Sequence, residues 1–135
     1  MRKRIENDLF TATIYGEPAS KANARNIVRI GGKIRVIKSK KALSYLKTFA
    51  QQCPVRDNLF TDDVAVGIRI YYASRRPDLD ESLILDALQN YAYKNDRQVK
   101  AKYILHSLDK ENPRTQIIVA PMEKLTTVLS VLNHV

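Results

Sequence analysis

Runs of strand type outnumber runs of helix type in this chain, and most of them follow one another directly. That order predicts an α+β fold, a mixed β-sheet with helices packed on it. Residues 9–15 are rich in β-branched and aromatic side chains and end at Gly16, which predicts a first strand. The polar stretch from Glu17 to Arg25 has neither periodicity and reads as a basic loop. Residues 27–30 and 33–37 flank Gly31-Gly32, a two-residue hairpin signal, because both turn positions need positive φ. Alternation there is expected to put Arg29, Lys33 and Arg35 on or near one solvent face. Ser39 can cap a helix running to about Gln52, with Leu43, Leu46, Phe49 and Ala50 as its buried stripe and Pro54 beyond it. Residues 64–72 alternate as a strand. Residues 80–90 read as a helix burying Leu83, Leu85, Ala87 and Leu88. Residues 98–108 and 115–119 read as two strands around Asn112-Pro113. Behind Pro121, the residues Leu125, Val128, Leu129 and Leu132 mark a closing amphipathic helix. No repeat or linker interrupts the 135 residues, so one small domain over residues 1–135 is expected.

Charge is distributed unevenly. Residues 1–60 carry 13 Lys/Arg against 4 Asp/Glu, whereas residues 61–135 carry 10 of each. The first half therefore suits phosphate binding and the second holds the clustered carboxylates, which favours nucleic acid over a membrane or an acidic protein as partner. Cys53 is the only cysteine, too few for an intrachain disulfide or a cysteine-based zinc site. The charged opening Met1-Arg2-Lys3-Arg4 leads into no apolar segment of the kind a signal peptide has. A soluble, cytoplasmic protein is expected.

The segment richest in chemistry is Arg75-Arg76-Pro77-Asp78-Leu79-Asp80-Glu81, followed by Asp86 and then Lys94-Asn95-Asp96. Pro77 holds Arg76 extended, so the chain arrives stretched at a helix start, where Asp78 or Asp80 can serve as N-cap. One cap satisfies one helix start, yet three acidic residues crowd four positions. Two carboxylates about 4 Å apart repel by roughly 4 kcal/mol at an effective dielectric of about 20. A divalent cation offsets that repulsion, and carboxylate oxygens suit Mg²⁺. In a chain otherwise arranged for phosphates, such a cluster points to metal-dependent cleavage of phosphodiesters.

These residues also resemble a known family. Arg76-Pro77-Asp78-Leu79-Asp80, Leu85-Asp86-Ala87-Leu88 and Asn95-Asp96-Arg97-Gln98-Val99 are similar to the RusA pattern, as is the upstream stretch from Gly16 through Pro18 and Lys21 to Arg25. The resemblance spans residues 14–99. It implies a homodimeric, Mg²⁺-dependent endonuclease that resolves four-way (Holliday) junctions by paired symmetric nicks. Its catalytic, metal-holding aspartates fall on Asp78, Asp80 and Asp96, and its DNA contacts on Lys21 and Arg25. To these contacts the basic patterning adds Arg29, Lys33, Arg35, Arg76 and Lys94. Three positions depart from the family: Glu81 stands where it has Asn, Ile84 where it has a functional Lys, and Asn95 where it has a first Asp. Lys94, beside Asp96, is expected to supply some of the missing positive charge.

A helix over residues 80–90 carries the chain about 15 Å away, and six steps to Asp96 retrace at most roughly 20 Å. Asp96 then returns only if the loop folds straight back; otherwise a dimer completes the site. Asp86 lies on a different helical face from Asp80 and suits either a supporting role behind the metal ligands or a buried, hydrogen-bonded structural role. Tyr91 and Tyr93 are read as packing residues rather than base-stacking ones. His106 and His134 lack metal-ligand partners at suitable spacing. Two other functions fit the same residues: a non-catalytic nucleic-acid-binding module with aspartate caps, and a nuclease acting on flaps or other branched DNA.

Overall fold

The structure, a computed structural model, describes residues 8–19 and 25–134, with the backbone alone at Arg25. Strand β1 (Phe10–Tyr15) opens the chain, and the hairpin β2 (Arg25–Ile30) and β3 (Lys33–Lys38) follows. Helix α1 (Lys40–Gln52) leads to β4 (Val64–Tyr72), the short helix α2 (Ser82–Ala87), β5 (Val99–Leu108), β6 (Arg114–Pro121) and α3 (Leu125–Leu132). The main sheet is mixed, in the order β1-β6-β4-β5, with β4 and β5 parallel and the other pairs antiparallel. The fold is α+β, as the strand-rich order predicts.

Strand β4 departs from its predicted alternation. It lies between β5 and β6 and is buried along nearly its whole length, because helices cover both faces of the sheet. Val66, Ile68, Ile70 and Tyr72 pack with Phe49 and Tyr45 of α1 and with Leu83 and Ile84 of α2, whereas Ala65 packs with Val128 and Leu132 of α3. Gly67 makes the approach of α3 possible. A Cβ there would stand 2.9 Å from Val128 Cγ1 and 3.3 Å from Leu132 Cδ2. Gly67→Ala is accordingly expected to cost about 1–3 kcal/mol through overpacking, measured by urea unfolding. An unchanged midpoint would show that α3 shifts freely.

Ser39 caps α1 as expected, its hydroxyl accepting from the Ala42 N–H at 3.1 Å. The buried stripe is rotated from the predicted one. Ala42, Tyr45 and Phe49 are buried, whereas Leu43 and Ala50 face solvent. Tyr45, a polar-tipped residue passed over in the sequence, fills the place assigned to its neighbours. The hairpin turn is the predicted one, with Gly31 at φ +58° and Gly32 at +78°. Its basic residues are not on one face, however. The register sets Lys33 opposite Ile30 and Arg35 opposite Val28, but Arg29 opposite Ile34. Opposed residues share a face, so Arg29 projects on the other side of the ribbon from Lys33 and Arg35.

Helix α2 is shorter than predicted, at six residues. Turns follow it, with Asn90 in the left-handed region at φ +71°. Tyr91 meets Phe49 edge-on at 6.0 Å, and Tyr93 is fully buried with its hydroxyl donating to the Leu85 carbonyl. Both tyrosines are packing residues. No helix among the described residues is long and apolar enough to cross a membrane.

Candidate active site

The connection from β4 to β5 joins two parallel strands and carries all three predicted aspartates. Tyr72, the last residue of β4, sets its path. The Tyr72 hydroxyl donates to the Asp78 carbonyl at 3.2 Å and accepts from the Asp80 N–H at 3.4 Å. Burial pushes this hydroxyl above its ordinary range, and the neighbouring carboxylates of Asp80, Glu17 and Glu81 push it the same way. Glu17, just after β1, accepts from the Ala73 N–H at 2.6 Å, which brings a further carboxylate to this end of the sheet.

Asp80 is half-buried. Its Oδ1 accepts from both the N–H and the hydroxyl of Ser82, at 3.0 and 2.7 Å. Asp80 therefore steadies the start of α2 from the position before the N-cap, which is Glu81 rather than the expected Asp78 or Asp80. Asp78 is exposed on the loop before it. Glu81 pairs with Lys102 of β5. Lys102 lies level with Val66 in the sheet register, six positions back from Tyr72, or about 20 Å along the strand. The segment from Asp78 to Glu81 thus folds back over the sheet face towards the start of β5.

Asp96 waits at that end, exposed, in a 3₁₀ turn (Asp96–Gln98). The turn is held from several sides. The Asp96 N–H donates to Gln89 Oε1 at 3.1 Å, and Gln89 Nε2 donates to Asp86 Oδ1 at 3.0 Å. Gln98 accepts from the N–H groups of Lys94 and Asn95 and donates to the carbonyls of Phe60 and Asp62. Asp96 lines a cleft of about 240 Å³ with Leu85, Val99, Lys100, Ala101 and Lys102. Helix α2 advances the chain only about 9 Å, yet among the described residues Asp96 does not stand with Asp78 and Asp80 as one carboxylate group. Glu81 pairs with Lys102, and Lys102 lines the same cleft as Asp96.

Of the predicted DNA contacts, Lys21 lies outside the described residues and Arg25 begins β2. Arg29, Lys33 and Arg35 are exposed on the hairpin, Arg76 on the loop before Asp78, and Lys94 beside the 3₁₀ turn. Lys94 does not line the cleft; Lys100 and Lys102 do. These two lysines were missed in the sequence, although the pattern Lys-Ala-Lys just after Asp96 signals two charges on one strand face. Asp86 is partly exposed rather than buried, pairs with Lys38 at 3.6 Å and holds Gln89, which in turn holds the Asp96 backbone.

Among the described residues, no three His, Cys, Asp or Glu side chains stand together as a ready metal site. The donors available are nonetheless all carboxylate oxygens, and Mg²⁺ keeps several waters while taking only one or two protein carboxylates. The donor set fits a hard divalent ion.

Comparison with protein families decides the identity: the description Endodeoxyribonuclease RusA matches residues 16–120. The chain belongs to the RusA endodeoxyribonuclease family. Comparison with curated proteins gives no match. The RusA match includes the aspartate segment, the hairpin and the cleft, so the nuclease chemistry of the family and the carboxylates described above lie in the same stretch of chain.

Proposed function

We propose that this RusA-family nuclease hydrolyses DNA phosphodiesters at four-way junctions, with Mg²⁺ held by Asp78, Asp80 and Asp96. The observation that carries this reading is the family match over residues 16–120, within which Lys102 pairs with Glu81, next to Asp80, and lines a cleft with Asp96. With Mg²⁺ bound, the chemistry supplied is activation of a water and neutralisation of charge on the scissile phosphate. The chain's own residues do the rest. Ser82 fixes one oxygen of Asp80. Tyr72 fixes the backbone on either side of Leu79. Gln89 and Gln98 hold the Asp96 turn. Lys100 and Lys102 place positive charge along the cleft, in the role the family gives to the Lys replaced here by Ile84. Arg29, Lys33, Arg35, Arg76, Lys94 and, from the basic stretch, Lys21 and Arg25 hold the flanking phosphates. A two-fold dimer supplies the paired cuts that a symmetric junction needs. The cytoplasm is the compartment proposed for it.

The test is cleavage of an end-labelled mobile junction with Mg²⁺ and again in EDTA. Cutting that appears with Mg²⁺ and vanishes in EDTA is expected. The Ser82–Asp80 bonds favour one other reading, a binding module in which Asp80 is only a cap. That reading expects salt-sensitive binding with a log–log slope near −0.9 per phosphate contact and no cutting in either buffer.

The location of the supporting charge gives a second expectation. Lys102→Ala leaves Glu81 without its ion pair, next to Asp80, and removes a positive charge from the cleft that Asp96 lines. It should slow cutting about tenfold to a hundredfold, on the scale of a single electrostatic contact to the reacting phosphate. Lys94→Ala should change it by less than about threefold, as for an exposed charge. The reverse ranking would return the supporting role to Lys94.

A further inference from the structure

The hairpin β2–β3 is a two-stranded sheet of its own. Such a ribbon is marginally stable alone in water. Here it also exposes five aliphatic side chains: Ile27 (76%), Ile30 (57%), Ile34 (67%), Val36 (61%) and Ile37 (43%). The register sets Ile27 opposite Val36, and Ile34 lies two positions from Val36 on the same face. These three form one apolar patch on the face that also carries Arg29 and Lys38.

The charge of the ribbon selects what covers the patch. Residues 25–38 contain Arg25, Arg29, Lys33, Arg35 and Lys38 and no Asp or Glu. A second copy of the ribbon would set like charges against one another. A polyanion complements them. The outer surface of a DNA duplex offers phosphates to the basic residues but little to the aliphatic ones. Apolar contact of this kind is available between base steps, where proteins insert Ile, Leu, Phe or Met as wedges. A branch point has the most easily opened stack.

We propose that the hairpin is an unstacking wedge: Ile27, Ile34 and Val36 enter the base stack at the branch of the junction while Arg29, Lys33 and Arg35 hold the phosphates around it. The proposal rests on the reading of the substrate as branched DNA. The base of the ribbon is fixed for such a task. Ser39, next to Lys38, is buried as the cap of α1. Lys38 reaches Asp86, Asp86 holds Gln89, and Gln89 holds the backbone of Asp96. The wedge is thereby set at a defined offset from the carboxylates, and the position of the branch fixes the bond presented to them.

The test uses the full chain in EDTA and a junction carrying 2-aminopurine at the branch, whose fluorescence rises on unstacking. The wild-type protein is expected to raise the signal severalfold. The triple variant Ile27→Thr, Ile34→Thr, Val36→Thr keeps β-branched side chains and strand propensity. It should lose that rise and bind the junction about tenfold more weakly, the scale of one interfacial anchor, with linear-duplex affinity unchanged. Ile30→Thr, on the other face, should retain the rise and serves as the control for hairpin folding. A triple variant with a full rise overturns the proposal. So does a wild-type dimer that the triple variant turns into a monomer, because the patch is then covered by a second copy. A protein that unstacks the branch without ever cutting would keep the wedge and remove the nuclease reading; one that cuts without unstacking would do the opposite.

Discussion

Asp80→Asn protein is expected to bind a four-way junction as tightly as wild type and to cut it at least about a thousandfold more slowly, a loss of roughly 4 kcal/mol in transition-state stabilisation. The substitution separates the two roles that the structure gives this side chain. Asparagine keeps an Oδ1 acceptor for the Ser82 N–H and hydroxyl, so the start of α2 retains its bonds. What it removes is the negative charge, which the cap does not need and a metal site does. Binding should survive because the two Ser82 bonds at Asp80 Oδ1 involve none of the basic residues proposed to hold the phosphates. Asp80→Ala would lose both roles and confound them. Asp80→Asn protein that cuts at the wild-type rate would reduce Asp80 to a cap.

Ile84→Lys installs the residue that the resemblance to the family implies at that position, and it is expected to damage the protein rather than quicken it. Ile84 is fully buried among Leu83, Leu88 and the sheet residues behind them. A lysine there must bury an unpaired ammonium or expel α2 from the core, at a cost of about 3–5 kcal/mol. Against a typical domain stability of about 5–15 kcal/mol, that is a large fraction. Urea unfolding should show the midpoint falling sharply. A variant that stays as stable as wild type and cuts faster would mean that residue 84 can turn into the cleft, and that the positive charge is simply missing rather than supplied by Lys100 and Lys102.

The departure at Ile84 shows what a linear pattern leaves out. Spacing places position 84 four residues after Asp80, on a stretch read as helical, but not whether its side chain meets the cleft or the core. That depends on how α2 sits on the sheet, which is settled by Tyr72 at one end and the Tyr93–Leu85 bond at the other. The positions of the strands along the chain, the glycine turn, the Ser39 cap and the closing helix were legible because each depends on local chemistry. The rotated stripe of α1 was not: Tyr45 is buried by the shape of its neighbours, a tertiary effect. Nor was the face of Arg29, because a two-residue turn fixes register while residue counting alone ignores which positions oppose. For the site, the aspartates stood out by type and crowding. The residues that organise them (Tyr72, Gln89, Gln98 and Lys102) are ordinary strand and turn residues whose partners lie several to tens of positions away.

The most direct measurement is to map the nicks on a four-way junction labelled in turn on each of its four strands, beside a linear duplex of the same sequence, with Mg²⁺ present. The expected result is a pair of nicks at symmetry-related positions flanking the branch and none in the linear duplex. Equal nicking of junction and duplex, or no nicking of either, would contradict a junction-resolving nuclease built on Asp78, Asp80 and Asp96.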